Sequence, residues 1–168
     1  MKLVARLAGF LNKRQAMRSV DVSLRSGTYF VVTIHGSKGS EPCIAAGPVE
    51  TLALDAPHQD LGDAIFRGLK ATRHDYPYPA NQQEWSQVIA PLLSAAGCKS
   101  WGTYAKRASS LRVDQTAEQI RVLPCIREKT SFAPVAGREL ELKAPSAPEL
   151  GEIIAKELAF AAQRDGAA

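Results

Sequence analysis

Val20-Asp21-Val22-Ser23-Leu24-Arg25-Ser26-Gly27-Thr28-Tyr29-Phe30-Val31-Val32-Thr33-Ile34 is the stretch that decides the fold class. Val20, Val22 and Leu24 alternate with Asp21, Ser23 and Arg25, the two-residue period of a strand that buries one face. Thr28 to Ile34 is a dense β-branched and aromatic run, the composition of a more deeply buried strand. Ser26-Gly27 between them is turn chemistry, so the stretch reads as a β-hairpin and starts an antiparallel sheet.

Downstream, Gly36, Gly39, Pro42, Gly47 and Pro48 interrupt regular structure, and residues 36–48 read as a loop or short irregular strands. Val49 to Leu54 alternates as a further strand. Asp60 reads as the cap of a helix with Leu61, Ile65, Phe66 and Leu69 on one face, ending before His74-Asp75-Tyr76-Pro77-Tyr78-Pro79. Asn81 and Glu84 have capping-box spacing, and Trp85, Val88, Ile89, Leu92, Leu93 and Ala96 form a core stripe that runs to Gly97. Leu111/Val113 and Ile120/Val122 alternate around a turn at residues 114–118, a second hairpin. Phe132 to Val135 and Leu140 to Leu142 are weaker strands separated by Gly137. Ser146, Pro148 and Glu149 open a closing helix with Leu150, Ile153, Ile154, Leu158 and Ala161 on its apolar face. This order lacks the regular strand-helix alternation of a doubly wound sheet. It predicts an α+β fold, one domain over residues 1–168, with a mainly antiparallel sheet and three to four helices. Residues 1–18 form a basic N-terminal segment, and 165–168 a frayed tail.

The 168 residues carry a net charge of +4 with 45% hydrophobic content, which suits one globular domain and excludes disordered or collagen-like classes. The charge is local. Residues 1–25 hold six cations against Asp21, a balance of +5, and residues 26–168 are left with −1. A solvated basic arm explains this without direct nucleic-acid binding. No apolar run approaches the roughly 18 residues of a membrane helix, and Arg6 splits the only stretch that imitates a signal peptide. The expectation is a cytoplasmic protein with no membrane contact. Cys43, Cys98 and Cys125 are odd in number and widely spaced, which argues against disulfides and against zinc.

Side chains able to carry chemistry are sparse. His35, His58 and His74 have no metal-pair spacing, and Gly36-Ser37-Lys38-Gly39 lacks the spacing of a phosphate loop. No cofactor and no metal are expected. Cys98 beside Lys99 has an electropositive setting, although a packed thiol is the simpler reading. In Glu139-Leu140-Glu141-Leu142-Lys143, a strand would place Glu139, Glu141 and Lys143 on one face. With Asp114 upstream, Glu141 and Lys143 would make a metal-dependent nuclease site; a charged solvent face predicts the same letters. Tyr76 and Tyr78, among prolines, are candidate interface anchors.

Ala95-Ala96-Gly97-Cys98-Lys99-Ser100-Trp101-Gly102-Thr103-Tyr104-Ala105-Lys106-Arg107-Ala108 reads as a corner. Gly97 stops one helix, Ser100 caps the next, and Trp101, Tyr104, Ala105 and Ala108 recur at helical spacing. This segment resembles immunity proteins of bacterial contact-dependent growth-inhibition systems. The resemblance extends to Gly27-Thr28-Tyr29-Phe30-Val31-Val32, Leu61-Gly62-Asp63-Ala64-Ile65, Glu84-Trp85, Ile120-Arg121-Val122-Leu123-Pro124 and Leu150-Gly151-Glu152-Ile153. It implies a protein that is not an enzyme and that binds and blocks the C-terminal toxin domain of its cognate secreted effector. Such toxins are often nucleases, including ones that cut transfer RNA. A nuclease presents a positive groove, so its inhibitor should present carboxylates. Glu50, Asp55, Asp60 and Asp63, or Glu139 and Glu141, are the candidate toxin-binding residues, with Tyr76 and Tyr78 as anchors.

Overall fold

The computed structural model describes residues 17–38, 43–117, 119–129 and 131–165. Within these the hairpin forms as β1 (Arg18–Arg25) and β2 (Thr28–His35), with Val22 opposite Val31. Ser26 and Gly27 both take positive φ, the backbone of a tight hairpin turn. β3 (Ile44–Ala53) pairs with β2, and the second hairpin, β4 (Ala108–Gln115) and β5 (Ile120–Glu128), joins through β4 beside β1. β6 (Ser131–Pro134) and β7 (Leu140–Leu142) both pair with β5. The result is one seven-stranded sheet, ordered β3-β2-β1-β4-β5-β6 with β7 also on β5, and all its pairings are antiparallel.

Four helices complete the described residues: α1 (His58–Lys70), α2 (Gln82–Ala95), α3 (Trp101–Ala105) and α4 (Ala147–Asp165). The α+β expectation holds. No described helix is long and apolar enough to cross a membrane.

One face of the sheet is sealed. Val20, Val22, Val31, Leu111, Val113 and Val122 meet Leu61, Ile65 and Leu69 of α1 and Leu150, Ile154 and Leu158 of α4 in one buried cluster. Each large aliphatic side chain buried here contributes about 1.5–3 kcal/mol. The two helices can share this face because they touch backbone to backbone. A Cβ built on Gly62 would lie 1.9 Å from the Ala147 carbonyl oxygen, and one on Gly151 would lie 1.9 Å from that of His58. Only glycine fits either position.

The other face is covered partly by α2 and α3, over a smaller cluster of Phe30, Val32, Leu92, Tyr104 and Ala108. Here several expectations need correction. The stripe on α2 forms, but only Leu92 is buried; Trp85, Val88, Ile89, Leu93 and Ala96 remain half-exposed. Regular strand begins at Ile44, so Gly47 and Pro48 belong to β3 instead of a loop. Both are tolerated because β3 is an edge strand whose register with β2 shifts between Val32 and Ile34. Gly39 and Pro42 lie outside the described residues, as do Glu118, the whole basic segment before position 17 and the tail after Asp165.

Helix α1 starts at His58 after Pro57, with no side-chain cap, so Asp60 sits in its first turn instead of capping it. An acidic side chain there still suits the positive end of the helix dipole. The corner is built as expected up to Ala105. Gly97 (φ 62°) closes α2 with paired bonds from Gly97 N–H to Ser94 O and from Cys98 N–H to Leu93 O. The Ser100 side chain accepts from Thr103 N–H. Ala108, however, already opens β4, so the helical spacing stops one turn early.

Candidate functional site

The loosely covered face carries the unusual chemistry of this chain. Strand alternation points Ser19, Asp21, Ser23 and Arg25 of β1 toward it, and the register sets Asp21 beside Arg112 and Ser19 beside Asp114. Ser19 and Ser23 are buried there, so what reads as a solvent face is an enclosed polar spine. Ser23 hydrogen-bonds the Tyr104 hydroxyl, and burial pushes that phenol well above its ordinary value. Asp114 is 3% exposed and fully engaged: it accepts from Ser19 Oγ at 2.6 Å, from Arg112 Nε at 2.7 Å and from Arg121 at 3.4 Å. Asp21 accepts from Ser110 Oγ at 2.6 Å, and burial raises its carboxyl against the opposing pull of Ser110 and Arg112.

Between α2 and the sheet lies a cleft of about 410 Å³, with walls that include Val32, Val49, Trp85, Ile89, Leu92 and Trp101 and with Asp21 among its lining. It exists because the α2 stripe stands partly off the strands. Tyr78, 61% exposed, sits edge-on to Trp85 at 5.6 Å and extends the surface outward. Tyr76 is less free. It stacks on His35 at 4.6 Å, and Arg73 lies over its ring. His35 accepts from Arg73 N–H at Nδ1 and bonds the Ala46 carbonyl through Nε2, so both ring nitrogens are committed, and desolvation lowers its pKa.

The predicted carboxylates do not form one patch. Glu50, on β3, pairs with Arg67 at 2.6 Å, and Asp60 and Asp63 lie within electrostatic reach of that guanidinium. Asp55 is exposed in the segment between β3 and α1. Glu139 and Glu141 are exposed beside β5, at the edge of the sheet away from β3.

The nuclease constellation meets a specific objection. Asp114, Arg121 and Glu141 align across β4, β5 and β7, which puts a guanidinium between the two carboxylates where a metal would have to sit. Asp114 lies in β4, not in a turn, and its charge is already balanced. Glu141 accepts from Gln119, and Lys143 is exposed just past β7. Among the described residues no three His, Cys, Asp or Glu side chains converge as metal ligands. Cys98 bonds the Ala96 carbonyl and packs with the Tyr104 cluster, and burial pushes the Cys125 thiol up to about 12, which leaves it inert at neutral pH.

Asp21, Ser110, Arg112 and the cleft were missed by sequence reasoning. Their only trace was alternation, which also fits a wet face; the long-range register that joins β1 to β4 is what collects them.

No protein-family model matches the sequence, and no curated protein matches it. Solved structures do. The fold is similar to that of a chain from a toxin and immunity complex. That complex is the CdiA-CT/CdiI assembly of Yersinia pseudotuberculosis; the likeness has a TM-score of 0.65 at 16% identity and spans 88% of this chain and 97% of the other. A protein of unknown function from Neisseria meningitidis is similar at TM-score 0.68 and 16% identity, over 90% of this chain and 96% of that one. At such identities the likeness is one of fold.

Proposed function

We propose that this chain is an immunity protein that binds and neutralises the C-terminal toxin domain of a contact-dependent growth-inhibition effector, acting in the cytoplasm without catalysis. The observation that carries the reading is the fold shared, over nearly the whole chain, with a member of a toxin and immunity complex. The Gly97–Tyr104 corner and the Gly62/Gly151 helix crossing support it, because both fall in segments that resemble immunity proteins. In each the residue serves the scaffold, which is what a feature common to many pairs should do.

The toxin is of the nuclease type, and inhibition is by occlusion of its active cleft. The contact surface runs from Tyr78 across Trp85 into the cleft. There an exposed aromatic, half-buried apolar side chains and one carboxylate adjoin, the composition of an interface core. Glu50, Asp55, Asp60 and Asp63 would add carboxylates only from around the β3 edge, because Glu50 lies opposite Val31 and pairs with Arg67 of α1, on the sealed-face side. Glu139 and Glu141 lie at the other edge of the sheet, beside β5, and belong to a different surface.

The test is coexpression with the toxin domain encoded beside this gene. The expected outcome is rescued growth and a stable complex with nanomolar or tighter affinity. Growth arrest that persists, with no complex recovered, would overturn the reading.

A further inference from the structure

We infer that the cleft between α2 and the sheet receives a cation with an apolar stem, a Lys or Arg side chain of the bound toxin domain, with Asp21 as its counter-charge. This rests on the toxin-binding reading above. The walls of the cleft are mostly apolar, and among the described residues Asp21 is the only charged one that lines it. A neutral apolar occupant would leave that carboxylate in a dry environment with one hydroxyl donor, a costly arrangement. An ammonium or guanidinium on a methylene stem satisfies both parts of the site at once.

The groups around Asp21 leave this role open. Ser110 of β4 donates to one carboxylate oxygen, Oδ1. Arg112, the nearest cation, directs Nε to Asp114 and a terminal nitrogen to Ser19. Tyr104 of α3 and Cys125 of β5 also feel the Asp21 charge, and burial keeps both protonated at neutral pH. Cys43 lines the same cleft. The carboxyl is held above its ordinary value by desolvation, so a bound cation favours its ionised form and displaces a proton. Cation binding should therefore strengthen as pH rises through the acidic range.

The experiment titrates the full chain with n-butylammonium, n-butanol and butyrate, and follows Trp85 and Trp101 fluorescence. The expected result is a saturable response to butylammonium. It should be about tenfold or more weaker for the neutral and anionic probes and for Asp21→Asn, the size of a hydrogen-bonded charge contact. Ile89→Lys, which supplies its own ammonium at the cleft wall, should lose the response with Asp21 intact, and it serves if Asp21→Asn fails to fold. Equal binding of butanol and butylammonium, or no saturable response, would overturn the inference. So would a wild-type toxin complex that Asp21→Asn leaves unchanged. Failure of wild type to bind the toxin overturns the toxin reading instead, while the amine titration still decides the chemistry of the cleft.

Discussion

The two faces of the sheet come from the same strands and have opposite characters. On β1, Val20 and Val22 are completely buried against α1 and α4, whereas Asp21 and Ser23, which alternate with them, face α2 and α3. The first face is closed by helices in backbone contact; the second carries a cleft, a buried polar spine and an exposed tyrosine. Alternation within one strand thus separates the part of the molecule that holds the fold from the part with chemistry left to offer.

The sharpest way to break this contrast is to push the sealed face apart. Gly62→Ala with Gly151→Ala places two Cβ atoms inside carbonyl groups, and should destabilise the protein by about 4 kcal/mol or more in chemical denaturation. A pair of helices that simply slid aside at little cost would show the contact to be incidental. Next, Ile65→Ala should cost about 3 kcal/mol, while Ile89→Ala, the same change on the half-exposed α2 stripe, should cost less than about 1 kcal/mol. Equal losses would mean that both faces carry the core.

How legible was this division? The hairpins, the helix faces of α1 and α4 and the Gly97 corner all rest on short-range patterns, and each formed. The start of β3 did not read correctly, because an edge strand accepts the glycine and proline that exclude a central one. The stripe on α2 was read correctly as helical and wrongly as deep, since periodicity reports which residues face inward and not how close the next layer stands. The site was nearly invisible. Asp114 came forward for a nuclease role, yet its partners Ser19, Arg112 and Arg121 are fixed by strand register. That Glu50 pairs with Arg67, with Asp60 and Asp63 nearby, and that Glu139 and Glu141 lie at the other edge of the sheet, follows from the packing of α1 and the strand order, which no local pattern carries.

Smaller effects sharpen the comparison at the corner and the loop. Gly97→Ala forces a side chain into positive φ and should cost about 1 kcal/mol without touching either core. A stabilised variant would contradict the left-handed stop. His35 holds residues 73–76 against the strand ends in its neutral form. Its folded pKa lies below the ordinary 6.5, so the unfolded chain takes up the proton first as pH falls. The stability His35 contributes is therefore present above 6.5 and is lost as pH drops through the folded pKa. Measured as wild type minus His35→Gln, the difference should shrink toward acid pH, against the trend from Asp21, whose raised carboxyl favours the fold at low pH. A difference that grows toward acid would reverse the assigned protonation state.

The central claim is that recognition belongs to the open face. Calorimetric titration of the adjacent-gene toxin domain against wild type, Ile89→Glu on the cleft wall and Lys156→Glu on the solvent side of α4 tests it directly. The account predicts nanomolar or tighter binding for wild type and Lys156→Glu, and a loss of about a hundredfold or more for Ile89→Glu. Tight binding that Ile89→Glu leaves intact, or that only Lys156→Glu weakens, would contradict it.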